Sequence, residues 1–392
     1  MITFVTTTKF IMFIDRLNSY YSLVKSPELF GRYITNSHIE KCLTKYSQED
    51  ISVVGKSAEN RPIYALKFGN GPKKVLLWSQ MHGNESTTTK ALFDCFALFV
   101  TNNDIPNDIL SNCTLFVIPI LNPDGAERYT RLNACGVDLN RDAQNLSQPE
   151  SVVLRSVFNT FKPDYCFNLH GQRTIYNVGT TNTSSVLSFL APSQDKKRSI
   201  TSTRKVAMSI ISQINKSLQG QILGGVARYD DGFNLNCVGD TFQSFNVPTI
   251  LYEAGHYPKD YNREVVRKLM FFSILKGLKV IADGVDPSVS DDYFSIPENG
   301  TLFYDILIRN VTVKALNNSV QDIGILYKEA LINGYIEFMP VVEAISNLKA
   351  CHGHREIDAK GKNVFTKENS EIKVGNEIDF VLLNNEKISL KL

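Results

Sequence analysis

Features that would indicate several other classes of protein are missing from this 392-residue sequence. None of its seven cysteines belongs to a Cys-x-x-Cys pair, so thiolate zinc sites and redox motifs are not expected. The formal net charge is only +2 and no block of like charge occurs, which argues against binding to nucleic acid or to a membrane surface. No apolar run approaches the length of a membrane span. What remains is a globular protein whose 43% hydrophobic residues allow a sizeable core.

A secretory signal is also not evident at the amino terminus. The apolar run from Phe10 to Ile14 is short, and Asp15 and Arg16 follow it without a cleavage site of small residues. The odd number and wide scatter of the cysteines are typical of reduced, mostly buried thiols. We therefore expect a cytoplasmic protein.

Apolar runs of strand length alternate with helical patterns through the first 284 residues. Strands are predicted at 51–54, 62–68, 74–78, 114–120, 164–169 and 248–252, and helices at 17–50, 86–100, 151–161, 205–218 and 263–282. The first two strands read as a hairpin. The alternation predicts an α/β fold with a mixed, largely parallel, doubly wound sheet that carries helices on both faces.

The composition becomes linker-like at residues 284–292. Beyond this point, strands separated by turns are predicted at 301–308, 335–338 and 378–383. We therefore expect two domains, a catalytic-type α/β domain over residues 1–284 and a small β-rich accessory domain over residues 285–392. The role of the second domain and the oligomeric state are not indicated by the sequence.

A histidine and a glutamate follow the predicted strand at 74–78, in the sequence Trp78-Ser-Gln-Met-His-Gly-Asn-Glu-Ser86. His82 and Glu85 lie in the turn at the carboxyl end of that strand, where open α/β sheets bind their ligands. An imidazole and a carboxylate are both zinc ligands, and catalytic zinc usually takes three protein ligands plus a water. A His-x-x-Glu pair alone also occurs in solvated turns, so the other strand ends decide.

Three further polar groups come at the carboxyl ends of predicted strands. They are the segment Asn122-Pro-Asp-Gly125, with strong turn chemistry, then His170 and Glu253. Strand ends on the same edge of a doubly wound sheet allow such residues to converge.

With these motifs in order, the sequence resembles the carboxypeptidase A-like zinc metallopeptidases. The resemblance spans roughly residues 50–280. It is carried by five segments, which are His82-Gly-Asn-Glu85, Asn122-Pro-Asp-Gly125, Gly136-Val-Asp-Leu-Asn-Arg141, His170 and Ile250-Leu-Tyr-Glu253. The tail beyond residue 285 lies outside it.

The resemblance implies one zinc ion per chain, held by His82, Glu85 and His170. Two neutral imidazoles and one carboxylate leave the ion net positive and one position open to water. Glu253 resembles the family's general base, which takes a proton from the zinc-activated water and later delivers it to the leaving amine.

Four more residues match family positions. Arg131 resembles the arginine that supports the oxyanion, although Arg128 competes for this role. Asn140 and Arg141 resemble the pair that holds the terminal carboxylate of a substrate. Asp138 resembles the carboxylate that fixes the tautomer of the first zinc histidine.

Other stretches depart from the family pattern. Tyr229 is the nearest candidate for the mobile tyrosine of the family, with a surface tyrosine as the alternative. The residues near Phe233 to Thr241, which would set side-chain preference, include a single charge, Asp240, which the sequence also allows as a turn residue. In the tail, residues 351–354 read Cys-His-Gly-His and are interpreted as a solvated loop in preference to a metal site.

The resemblance implies a zinc metallocarboxypeptidase that hydrolyses an amide bond next to a free carboxylate, in a peptide or peptide-like substrate. One alternative is an N-acyl amino acid deacylase of the aspartoacylase and succinylglutamate desuccinylase type, which shares His-Gly-Asn-Glu and Asp-Leu-Asn-Arg sequences. The segment Asn122-Pro-Asp-Gly125 and the long span from it to His170 favour the peptidase. A further alternative is an inactive relative that uses the groove and the β-rich tail for binding. The intact ligand set and general base argue against it.

Overall fold

The computed structural model describes residues 2–313, 319–366, 372–383 and 386–392, with side chains from residue 13 onward. The chain forms two compact units. Unit 1 comprises Met1–Gln172 and Ser185–Asn299, and unit 2 comprises Arg173–Ser184 and Gly300–Leu392. Residue 285, the predicted domain boundary, lies inside unit 1, because the 3₁₀ helix Pro287–Ser295 belongs to that unit.

Unit 1 is built on an eight-stranded sheet. Its strands are β1 (Ile51–Lys56), β2 (Pro62–Phe68), β3 (Lys73–Ser79), β4 (Cys113–Ile118), β5 (Tyr165–Gly171), β7 (Leu187–Leu190), β8 (Val226–Arg228) and β9 (Thr249–Ala254). They lie in the order β1-β2-β4-β3-β5-β9-β7-β8. The central strands β4, β3, β5 and β9 run parallel, whereas β1/β2, β2/β4 and β7/β9 are antiparallel. The predicted mixed, largely parallel sheet is confirmed.

The helices of unit 1 pack on both faces of this sheet. They are α1 (Ile2–Val24), α2 (Asn36–Leu43), α3 (Thr87–Phe99), α4 (Asp104–Asn112), α5 (Pro123–Arg128), α6 (Pro149–Phe161), α7 (Ser202–Leu218), α8 (Val238–Ser244) and α9 (Glu264–Asp283). Alternate residues of a strand face opposite sides of a sheet. Accordingly, Leu77 of β3 packs in a cluster with α3, α7 and α9, and its neighbour Trp78 packs in a second cluster with α6 and α8.

Burial on both faces explains why the central strands read as continuous apolar runs. Val75, Leu76, Leu77 and Trp78 of β3 are all buried. One charged pair is buried with them: Arg267 on α9 donates to Asp94 on α3 at 2.6 Å, and neither side chain has exposed surface. A pair of this kind is costly to break, because the remaining charge would stay buried without a partner.

Three local predictions differ from the structure. The helical pattern at 17–50 is interrupted, because α1 ends at Val24 and α2 begins at Asn36. The predicted turn Asn122–Gly125 is the start of α5: Asn122 Oδ1 accepts the Gly125 N–H at 2.8 Å, and Pro123 occupies the first helical position. The short elements β7, β8, α4 and α8 carry too few residues for a periodic pattern and were not predicted.

Unit 2 is β-rich, as the sequence predicts for the tail. A four-stranded sheet has the order β13-β12-β11-β14, and a three-stranded sheet has the order β15-β16-β17. The bounds are β11 (Phe303–Val313), β12 (Ser319–Ile332), β13 (Tyr335–Ser346), β14 (His352–Asp358), β15 (Val364–Phe365), β16 (Phe380–Leu383) and β17 (Glu386–Ser389). Two very short strands, β6 (Asn177–Val178) and β10 (Asn299–Gly300), complete the described strands.

The segment Arg173–Ser184 joins unit 2 through backbone contacts. The Ile175 carbonyl accepts the Phe303 N–H at 3.1 Å, and the Thr174 carbonyl lies 2.8 Å from His354 Nε2. The His354 ring also stacks on Phe303, with centroids 4.4 Å apart. The interpretation of residues 351–354 as a solvated loop is therefore wrong, since His352 begins β14.

No described helix of either unit has the length and hydropathy of a membrane span.

Candidate active site

The carboxyl ends of three neighbouring strands bring the predicted polar residues to one edge of the sheet. The order β3-β5-β9 places the turn after Ser79, which carries His82, beside the end of β5. In the parallel pairing of β5 with β9, His170 lies directly opposite Glu253. The expected convergence at this edge is therefore found.

Three side chains form a cluster of metal-binding atoms. Glu85 Oε1 lies 2.9 Å from His82 Nδ1, and Glu85 Oε2 lies 3.0 Å from His170 Nδ1. The two Nδ1 atoms are 3.1 Å apart. Among the described residues, this is the one group of three or more histidine, cysteine or acidic side chains placed to hold a metal ion.

The outer nitrogen of the first histidine is fixed by Asp138. His82 Nε2 lies 3.1 Å from Asp138 Oδ1, so a proton on Nε2 donates to the carboxylate and leaves the Nδ1 lone pair facing Glu85 and His170. Asp138 is held in turn by the Asn140 N–H at 2.9 Å and by Arg131 Nη2 at 3.0 Å.

Burial and charge set the protonation of this cluster. Burial alone would raise the pKa of Glu85, but His82 and His170 outweigh it and hold that pKa well below its usual range. Burial lowers the pKa of His170, and Glu85 does not fully offset this effect. Burial would also lower the pKa of His82, but Glu85 and Asp138 outweigh it and raise the pKa.

This donor set fits zinc. Two ring nitrogens and a carboxylate point at one place, and the ring nitrogens of His82 and His170 face each other at a distance where two protons would repel. Two histidines and one glutamate are a ligand set that catalytic zinc uses, with a further position left for water or substrate. A divalent cation bound by these atoms would satisfy all three.

The turn that carries His82 and Glu85 has exacting backbone requirements. A Cβ on Gly83 would lie 1.9 Å from the backbone carbon of Gly125, so the two motifs approach too closely for any side chain. Gln80 adopts a positive φ of 49° and is fully buried. Its side chain donates to the carbonyls of Ile34 and Gly83 at 2.7 and 2.8 Å, which holds the turn in place.

Of the two arginines considered for the oxyanion position, Arg131 reaches the cluster. Its Nη1 lies 3.2 Å from His82 Nδ1 and 3.3 Å from Glu85 Oε1, and the side chain is 45% exposed. Arg128 pairs with Glu59 instead.

The loop that carries Arg131 is organised by a buried asparagine. Asn133 Oδ1 accepts the Val137 N–H at 3.0 Å, and Asn133 Nδ2 donates to Gln148 at 2.8 Å and to Glu150 at 3.2 Å. These bonds hold the loop between Arg131 and Asp138 against α6. The sequence gives no sign of this role, because the two side-chain partners of Asn133 are 15 and 17 residues away.

Glu253 is buried and unpaired on one oxygen. Its side chain is 8% exposed, and Oε2 has no hydrogen-bond partner among the described residues. Burial raises the pKa of Glu253 well above its usual value, and the negative charge of Glu85 raises it further, partly offset by Arg131. This carboxyl thus holds its proton to a higher pH than an exposed glutamate does.

Asn140 and Arg141 lie beyond Asp138 in the 3₁₀ helix Leu139–Arg141. Asn140 Oδ1 accepts the Val238 N–H at 3.0 Å. The exposed Arg141 donates from Nη1 to the Asn140 carbonyl at 2.7 Å and to Cys237 Sγ at 3.1 Å. The sequence indicates only that Cys237 is one of several reduced thiols, and it carries no signal for this contact.

The candidate for the mobile tyrosine and the charged residue of the predicted specificity region have different surroundings. Tyr229 is half-buried and its N–H donates to the Phe189 carbonyl at 2.9 Å; its substrate role stays a prediction. Asp240 lies in the first turn of α8, where burial raises the pKa of its carboxyl to about 7. The alternative that Asp240 is a turn residue is therefore wrong, because it lies inside a helix.

Comparison with known proteins gives a consistent result. A model of the zinc carboxypeptidase family matches residues 35–271, more than half of the chain. Over 177 residues the chain is 26% identical to carboxypeptidase SOL1 of Arabidopsis thaliana, a match that covers 39% of this chain and 36% of that protein. Over 125 residues it is 30% identical to carboxypeptidase D of Mus musculus, covering 27% of this chain and 9% of that protein. The matches thus span about a third or less of these curated relatives.

A solved structure shows the same fold. The crystal structure of a metallo-carboxypeptidase from Burkholderia cenocepacia is similar to this chain with a TM-score of 0.50 and 17% sequence identity. The similarity covers 63% of this chain and 70% of that one.

Proposed function

Because this chain belongs to the zinc carboxypeptidase family, we propose that it is a zinc-dependent metallocarboxypeptidase. Its proposed reaction is the hydrolysis of the amide bond next to a free carboxylate, in a peptide or peptide-like substrate. The convergence of His82, Glu85 and His170 beside the buried Glu253 carries the proposal.

His82 Nδ1, His170 Nδ1 and a carboxylate oxygen of Glu85 would hold the zinc ion. Asp138 accepts a hydrogen bond from His82 Nε2, which leaves the Nδ1 lone pair facing Glu85 and His170, where it would be available to the metal. Bound zinc supplies Lewis acidity, which polarises the scissile carbonyl and lowers the pKa of a water molecule to about 7.

Glu253 is the proposed proton carrier. Its unpaired Oε2 takes the proton from the attacking water and then delivers it to the nitrogen of the leaving amine, as the carbon–nitrogen bond breaks. The raised pKa of Glu253 suits both steps, since a carboxyl with a raised pKa accepts a proton more readily as the base and still delivers it as the acid.

The guanidinium of Arg131 is proposed to stabilise the negative charge that develops on the carbonyl oxygen. Its Nη1 lies within 3.3 Å of both His82 and Glu85, so it borders the place where the scissile carbonyl would bind. Donors fixed at such a position typically supply a large share of the rate enhancement. Asn140 and Arg141 are proposed to bind the substrate's free carboxylate, for which a planar guanidinium is well suited.

The test is a panel of peptides with free carboxyl termini, the same peptides as carboxyl-terminal amides, and N-acyl amino acids. Products are identified by mass spectrometry, and zinc is measured on the purified protein. We expect one zinc per chain and release of single carboxyl-terminal residues from the free peptides. Removal of zinc by a chelator should lower this rate about 100-fold or more, with recovery when zinc is added back.

Two results would replace the proposal with another function. Cleavage of the N-acyl amino acids alone would indicate the deacylase. Stoichiometric zinc without hydrolysis of any member of the panel would indicate an inactive binding protein.

A further inference from the structure

The start of α8 is attached directly to the two residues proposed to bind the substrate carboxylate. Cys237 Sγ lies 3.1 Å from Arg141 Nη1, and the next residue, Val238, donates its N–H to Asn140 Oδ1 at 3.0 Å. Two further contacts join the same segments: the Ala143 N–H donates to the Asn236 carbonyl, and Gln144 donates to Thr241.

These contacts leave a defined set of donors on Arg141. A guanidinium has five N–H groups, two of them on Nη1. Both Nη1 groups are engaged, by the Asn140 carbonyl at 2.7 Å and by Cys237 Sγ. The N–H groups on Nε and Nη2 have no protein acceptor within the described ranges, and these two atoms form an edge that can bind a carboxylate through two parallel hydrogen bonds.

The amide of Asn140 is oriented in the same way. With Oδ1 accepting the Val238 N–H, its Nδ2 stays able to donate to a ligand. The start of α8 thus determines which edge of each side chain is available to a ligand.

The chemistry of the thiol suits this role. Burial raises the pKa of Cys237 to about 11, so the side chain is a neutral thiol at neutral pH. A carboxylate in its place would form an ion pair with Arg141 and compete with the substrate's carboxylate. The Cys237 side chain does not cap α8. Its polar contact among the described residues is the one with Arg141.

We infer that Cys237 is a positioning residue that holds the Arg141 guanidinium with its Nε and Nη2 edge towards the free carboxylate of the substrate. The inference rests on the proposed function, because it assigns a task to the residue that orients a proposed substrate-binding group.

The test compares Cys237→Ala and Cys237→Val with Cys351→Ala, which removes another half-buried thiol in unit 2. Valine keeps volume at position 237 without an acceptor. With the best-cleaved peptide of the panel, we expect both Cys237 variants to raise KM about tenfold and to change kcat less than about twofold, since a hydrogen bond to a charged group is lost. Cys351→Ala should match the wild type, and thermal unfolding should report a folded protein in each case.

A binding measurement in the Glu253→Gln background separates carboxylate recognition from turnover. Calorimetry with this peptide as the acid and as the carboxyl-terminal amide should give a preference for the acid, reduced about tenfold by Cys237→Val with amide binding unchanged. An unchanged preference in Cys237→Val, or a valine variant with wild-type KM, would overturn the inference while leaving the proposed function intact. Absence of cleavage by the wild type would instead be a failure of the proposed function.

Discussion

Burial raises the pKa of both glutamates of the site, but the neighbouring charges give the two carboxyls opposite net shifts. Glu85 is surrounded by His82 and His170, which keep its pKa low, so it is ionised and ready to bind a cation. Burial raises the pKa of Glu253 well above its usual value, and the negative charge of the neighbouring Glu85 raises it further, so this carboxyl keeps its proton to a higher pH than an exposed glutamate does. The neighbouring charges thus suit Glu85 to its proposed role as a metal ligand and Glu253 to its proposed role as a proton carrier.

Removing the charge of Glu253 tests this division. We expect Glu253→Gln to lower kcat about 100- to 10,000-fold, the usual contribution of a general acid and base. Zinc content should stay at the wild-type level, because the three ligand side chains are unchanged. Kinetics and metal analysis on the same preparation measure both quantities, with the exposed Glu49→Gln as the matched control. A variant with near wild-type turnover would contradict the proton-carrier role.

Single residues were predictable from the sequence where they stand at the end of a strand. His82, Glu85, His170 and Glu253 follow apolar runs, and a strand end fixes the edge to which its side chain belongs. Gln80 lacked such a signal, because its role depends on a positive φ and on the Ile34 carbonyl, 46 positions away.

At the level of elements, two turns are interlocked. The His82-Gly-Asn-Glu85 turn after β3 and the start of α5 approach so closely that Gly83 touches the backbone of Gly125. The sequence shows each glycine in its motif, but it does not show that the two glycines are in contact. The periodicity of the sequence predicts the central strands and the long helices. It predicts a turn at the start of α5, because asparagine followed by proline suits both a turn and a helix N-terminus.

Adding one methyl group at this contact should disturb the site. We expect Gly83→Ala to lower the free energy of unfolding by about 2–3 kcal/mol, because the neighbouring atoms are backbone and cannot move aside without shifting the turn. Zinc affinity should fall as well, since His82 and Glu85 flank this position.

Urea denaturation and competition with a chromogenic chelator measure the two effects. Gly220→Ala is the matched control, because Gly220 has open space around its Cβ position. Equal stability and equal zinc affinity in the two variants would show that the turns are not interlocked.

At the scale of the whole molecule, the chain passes between the two units three times. It leaves unit 1 after Gln172, returns at Ser185 and leaves again after Asn299. Composition indicated a change near residue 285, but the sequence could not reveal the segment 173–184, because its membership depends on strands formed more than a hundred residues later.

Truncation after Asn299 should therefore give a destabilised form of unit 1. The remaining segment 173–184 loses its bonds to Phe303 and His354. Replacing this segment by a short Gly/Ser linker should raise the thermal stability of the truncated protein. A short linker can bridge the ends, because Gln172 Nε2 lies 3.1 Å from the Ser185 carbonyl.

We expect the truncated protein with the linker to melt about 5 °C or more above the simple truncation, as judged by thermal unfolding of both. Zinc content of the two proteins provides a second comparison. Identical melting temperatures would mean that the segment needs no partner from the tail.

The order of these segments along the chain also determines when each one becomes available during synthesis on the ribosome. Residues 173–184 emerge directly after His170, yet their partners appear only when the region beyond residue 300 has been made. At about 5–20 residues per second, this leaves roughly 5–25 s in which the segment waits while β7, β8 and β9 are translated. The nascent protein thus contains the three proposed zinc ligands and Glu253 before Thr174 and Ile175 have their partners His354 and Phe303.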